Sequence, residues 1–125
     1  MARKRMLSPT MFTSVTIGSL PVSTRWTWTG MLTYLDDFGR GKDHPSLIKA
    51  AVWPLDDNYT SRKVAADLDR LAEVGSICRY LCCQAKQLHA PKWETFQKVA
   101  HPTDSTCCPC PECDANLSAV HRNHS

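Results

Sequence analysis

The chain has 125 residues, is 42% hydrophobic and carries a formal net charge of +3. That length supports a single core, and the apolar fraction is ordinary for a globular protein. No stretch approaches the ~20 apolar residues of a membrane span, and the charge is too mild to imply nucleic acid by itself.

The N-terminus, MARKRM followed by MFTSVTIGSLPV, has the outline of a signal peptide. Thr13, Ser14, Thr16 and Ser19 interrupt the apolar run, so it reads as a short amphipathic helix packing on the core. The expected location is then the cytoplasm of a bacterial host. Arg3, Lys4 and Arg5 form a basic arm. Pro21-Val22-Ser23 makes a turn and a cap. Trp28, Met31, Leu32 and Leu35 share a face at helical spacing, which predicts a helix over Ser23–Leu35. Asp36 to Gly41 breaks it.

A second helix is predicted over Pro45–Val52. Proline suits a first turn, which has no intrahelical partner for its N–H, and Asp43 or His44 can cap it. Leu47, Ile48, Ala51 and Val52 are expected on the buried face. Trp53-Pro54 ends the helix, and Leu55 to Asn58 is loop chemistry. Thr60 is the N-cap of a third helix over Ser61–Val74, with Tyr59 and Val64 at the positions of a hydrophobic staple. Val64, Leu68, Leu71 and Ala72 form its apolar face, and Gly75 stands where a left-handed C-cap is needed. Ile77 to Leu81 then reads as a strand and Lys86 to His89 as its weaker return. The buried set is expected to include Trp28, Leu32, Leu47, Ile48, Val64, Leu68 and Leu71.

Helix, turn, helix and hairpin in this order predict an α+β winged helix-turn-helix over residues 1–102: a three-helix core plus a β-hairpin wing. Such a unit commonly offers its second helix to the major groove of double-stranded DNA. Ser61, Arg62, Lys63 and Ala66 face outward near the start of that helix. Asp67, Asp69 and Glu73 offset Arg62, Lys63 and Arg70, so the helix is not basic overall. The helix start is therefore the candidate base reader. The arm (Arg3, Lys4, Arg5) and the wing (Arg79 and Lys86, with Lys92 and Lys98 nearby) are candidate phosphate contacts. The competing reading is a solvated charged surface. Of the four tryptophans, Trp28 and Trp53 fit the core face, whereas Trp26 lies off the stripe and reads as partner-facing. Stacking on single-stranded bases is the alternative role for such rings.

Seven cysteines fall into two groups, Cys78, Cys82 and Cys83 in the wing and Cys107, Cys108, Cys110 and Cys113 beyond it. The odd number and the lack of a secretion signal argue against a disulfide framework. Cys110, Cys113, His121 and His124 form a Cys2His2 set that could hold zinc tetrahedrally. The alternative is a disordered tail over residues 103–125 whose cysteines share no role. DNA binding needs no cofactor. Nothing places an orienting group beside a particular thiol, so no enzyme is expected.

The segments PTMFTSVTIGSLPVSTR, YLDDFGRGKDHPSLIKAAVWPLDD, VAADLDRL and WETFQ resemble the N-terminal winged-helix domain of phage replication-initiation (replisome-organiser) proteins of actinobacterial phages and prophages. The resemblance spans Phe12 to Pro102 and is most specific from Tyr34 to Asp57. It implies binding of duplex origin DNA and a host or phage replication protein as partner. The family's wing tip carries an Asp-Gly turn; here Leu81 to Lys86 has no glycine to supply a positive φ. Two other roles fit the same surface: a homodimeric transcriptional regulator on palindromic sites, or a module that binds a host replication or division protein.

Overall fold

The computed structural model describes residues 3–102 and 108–111. These residues form six helices and three strands, an α+β arrangement. Two short helices, α1 (Pro9–Thr13) and α2 (Val15–Gly18), precede α3 (Val22–Tyr34), β1 (Arg40–Lys42), α4 (Pro45–Val52), α5 (Ser61–Glu73), β2 (Cys78–Cys82), β3 (Ala85–His89) and α6 (Trp93–Phe96). The sheet is antiparallel in the order β1-β3-β2. None of the described helices is long and apolar enough to cross a membrane.

The three expected helices form within a residue of their predicted bounds, and α4 and α5 each have a local start and stop; α3 begins at Val22 after Pro21 with no side-chain cap, so Ser23 lies inside the helix rather than capping it. His44 Nδ1 accepts from the Leu47 N–H at 3.3 Å, so the histidine rather than Asp43 caps α4. Thr60 accepts from the Lys63 N–H at 3.3 Å, a cap worth about 1 kcal/mol. Gly75 ends α5 at φ +82, where a side chain would be strained. Burial departs from the expected set at α4. Ile48 and Val52 are buried, but Leu47 and Ala51 are exposed. A helix of only eight residues presents one narrow stripe to α3 and α5, and the i, i+4 pair fills it.

Trp28, Met31, Leu32 and Leu35 of α3 and its end meet Ile48, Val64, Leu68, Leu71, Ile77, Leu88 and Trp93 in one core. Strand β1 is not legible in the sequence, where Asp36 to Gly41 reads only as a helix breaker. Its loop is an Asx turn: Asp36 Oδ1 accepts from the backbone N–H of Phe38 at 2.9 Å and of Arg40 at 3.0 Å. Gly39, at φ +75, lies so close to the Trp93 ring that a Cβ there would sit 2.7 Å from it. The N-terminal segment is two short helices rather than one, and Met11, Ile17 and Leu20 are the residues it packs on the core.

The chain beyond Phe96 also returns to the domain. The Gln97 amide donates to the Met6 carbonyl at 2.6 Å and accepts from the Met6 N–H at 3.0 Å. Tyr80 donates its hydroxyl proton to the Cys108 carbonyl at 2.5 Å, and Cys110 is buried. Cys108 is thereby tied to β2; the rest of the expected 103–125 tail, apart from residues 109–111, lies outside the described residues.

Candidate nucleic-acid interface and cysteine cluster

The first turn of α5 is built by its cap. With Thr60 holding the Lys63 N–H, Ser61, Arg62 and Lys63 project from the helix start. Arg62 and Lys63 are exposed, and neither is ion-paired among the described residues. Lys63 Nζ donates to the Asn58 carbonyl at 2.9 Å and lies 5.7 Å from the Tyr59 ring centre. Ser61 Oγ is 3.1 Å from Ser46 Oγ, which ties the start of α5 to α4. Free N–H groups, the positive end of the helix dipole and two cations converge here, a combination that attracts phosphate. Asp69 and Glu73, further along, are exposed and acidic, so the attraction is confined to the helix start.

The other candidate contacts divide sharply. Arg5 belongs to the interior: its side chain is 5% exposed, 3.0 Å from an oxygen of the equally enclosed Asp37. It donates to the Leu32 and Leu35 carbonyls, each at 3.0 Å, and sits 5.0 Å from the centre of the Trp93 ring. Arg3 is half-exposed and donates to Asp37 at 2.7 Å. The expected basic arm is thus corrected to a clamp: the buried charge of Asp37 requires neutralisation, and the two arginines provide it. Lys4 remains exposed and lines a surface groove with Lys98.

Arg79 is likewise committed. It forks onto both oxygens of Asp43, at 2.7 and 3.0 Å, and onto Asp69 at 2.6 Å. The hydrogen-bonded Asp43 holds its guanidinium above the ordinary value against the opposing effect of burial, and Asp69 adds to the effect. Two carboxylates on one guanidinium leave no net positive charge at that point for a phosphate. Lys86 stays exposed near the hairpin tip.

Asp67 also needs correction. Its charge suggests a place among the outward residues of α5, yet it is fully buried. It accepts from Thr24 Oγ1 at 2.6 Å, Thr27 Oγ1 at 2.7 Å and Arg70 at 3.3 Å, and also from the Tyr59 hydroxyl. Burial first, and then the contact with Asp67, push the Tyr59 phenol up. The signal is present in the sequence. Val64, Asp67, Leu68 and Leu71 follow i, i+3, i+4, i+7, so Asp67 occupies the buried stripe itself. Trp53 completes the neighbourhood: it stacks on Tyr59 with ring centres 3.8 Å apart and donates its indole proton to Thr27 at 2.9 Å. Trp28 and Trp93 are core, whereas Trp26 is 57% exposed and meets Trp53 edge-on.

At the hairpin tip, Cys83 and Gln84 take φ +53 and +68. A two-residue loop with both φ positive is what a twisted hairpin prefers, and glycine is the residue expected to supply it. Without glycine the conformation costs about 1–2 kcal/mol per residue. The turn brings Cys82 and Cys83 beside Cys108. Their three sulfurs all lie within 4.8 Å of one another, close enough to hold a metal ion. Cys82 and Cys108 are also at disulfide distance, with Cα atoms 6.0 Å apart, a pairing that the sequence argument against a disulfide framework does not foresee. Of the expected Cys2His2 set, only Cys110 falls among the described residues. Cys110 is buried outside the cluster, and Cys113, His121 and His124 lie outside the described residues.

No family model, no curated protein and no solved structure matches this chain.

Proposed function

We propose that this protein is a non-enzymatic winged helix-turn-helix that binds duplex DNA through the start of α5, in phage replication initiation. The element order supports the reading: α3, β1, α4, α5 and the β2–β3 hairpin follow one another as core helix, strand, helix-turn-helix and wing. The observation that carries it is the pair Arg62 and Lys63. They are exposed cations at a capped helix start, while Arg3, Arg5 and Arg79 are held by carboxylates. Lys86 at the wing and Lys4 at the N-terminus add phosphate contacts. The role at an origin, in a bacterial cytoplasm, follows from the resemblance of Tyr34 to Asp57 to replication initiators. A transcriptional regulator would use the same face but would be a stable dimer on palindromic sites.

The test is duplex binding of the full chain followed by fluorescence anisotropy across a salt titration. Arg62→Ala with Lys63→Ala should weaken binding strongly and leave the fold intact. Undetectable affinity at low salt, or affinity unchanged by the double substitution, would transfer the reading to a protein-interaction module. Exposed Val22 and Trp26, neighbours on one helix at spacing i, i+4, favour that second reading.

A further inference from the structure

We propose that Cys82, Cys83 and Cys108 are three thiolate ligands of a zinc ion that fastens Cys108–Pro111 to the hairpin tip. Their sulfurs lie within 4.8 Å of one another, and those of Cys82 and Cys83 are 3.9 Å apart. A tetrahedral site with Zn–S bonds of ~2.3 Å has sulfurs about 3.8 Å apart, which the Cys82–Cys83 pair matches, whereas Cys82 and Cys108 stand at disulfide distance and would separate to take the ion. The left-handed backbone of Cys83 and Gln84 turns two adjacent thiols to one side. The Tyr80 hydroxyl holds the third donor segment through the Cys108 carbonyl. Cys82 and Cys108 are half-buried and Cys83 is exposed, so solvent can reach the fourth position. Sulfur donors select zinc over magnesium or calcium. Each thiol gives up its proton on binding and no electrons move, so acid releases the ion. A Cys82–Cys108 disulfide would need two hydrogens removed by an oxidant and would leave Cys83 a free, exposed thiol. Cys83 therefore separates the two chemistries, and the proposal stands independently of DNA binding.

The full chain, purified under reducing, chelator-free conditions, is loaded with Zn²⁺ or Co²⁺ alone. One ion per chain is expected, with thiolate-to-cobalt charge-transfer absorption in the near ultraviolet. Cys83→Ser and Cys108→Ser should each lower affinity by at least ~10-fold, the lower end of what even outer-shell partners contribute, with circular dichroism unchanged. Should either variant unfold, alkylation of the wild type decides: bound zinc must protect Cys83. No bound ion, affinity unchanged in both variants, or Cys83 alkylated at the same rate with and without zinc would overturn the proposal. A chain purified without reductant that is metal-free and lighter by two hydrogens would assign the disulfide instead.

Discussion

Arg62 and Lys63 at the head of α5 and Arg3, Arg5 and Arg79 elsewhere are similar letters in opposite situations. The first pair stands in solvent without an acidic partner among the described residues. The others neutralise Asp37, Asp43 and Asp69. A count of basic residues therefore overstates the charge available to a ligand. What matters is which cations the fold has already paired, because a paired guanidinium must lose its carboxylate before it can take a phosphate.

The largest effect expected from this contrast is on stability. Arg5→Ala removes the more deeply buried of the two arginines that neutralise Asp37, and breaking a buried pair from one side costs about 3–5 kcal/mol. Arg62→Ala should stay within ~0.5 kcal/mol, as exposed substitutions do. Urea denaturation of the two variants compares them directly, and equal midpoints would erase the distinction between clamp and contact.

The core sets the scale for that comparison. Leu68 is fully buried, so Leu68→Ala should cost ~2–5 kcal/mol. The acidic residues of α5 divide in the same way as the arginines. Asp67→Ala strands the Thr24 and Tyr59 hydroxyls that it accepts from, while Thr27 keeps the Ser23 carbonyl at 3.2 Å, at ~1–3 kcal/mol for a buried group left without its partner. Glu73→Ala, on the exposed side, should be near neutral by thermal melting.

For DNA the ranking reverses. Arg62→Ala with Lys63→Ala should lower the log-log salt slope by about two, because each phosphate neutralised by a cation accounts for ~0.9 of it. Arg5→Ala should leave the slope unchanged under conditions where the variant is folded. A slope that fell with Arg5 but not with Arg62 and Lys63 would return the N-terminal arm to the interface.

The smallest effect is a pH dependence. The Tyr59 phenol is raised in the fold, so the folded state prefers it protonated. Its contribution is whole below the unfolded value of ~10 and is lost as pH rises through the folded value. Wild type should therefore lose more stability than Tyr59→Phe above that pH, measured by urea midpoints. Identical slopes would remove Tyr59 from the buried network.

Local chemistry makes much of the helical core legible. Caps at Thr60 and His44, the Trp53-Pro54 stop and the Gly75 turn act within a few residues, so the sequence alone determined where α4 and α5 begin and end. The apolar spacing of α3 and α5 likewise set their buried faces. Strand β1 is illegible because three residues carry no periodicity; only pairing with β3 makes Arg40–Lys42 a strand. Leu47 and Ala51 depart from expectation because the width of a buried stripe depends on how neighbouring helices approach. The wing cysteines and the later group are separate runs in the sequence, and nothing in their spacing joins Cys108 to Cys82 and Cys83. Tertiary structure alone decided that cluster, as it decided which charges are engaged, because burial and pairing depend on partners brought together from distant parts of the chain.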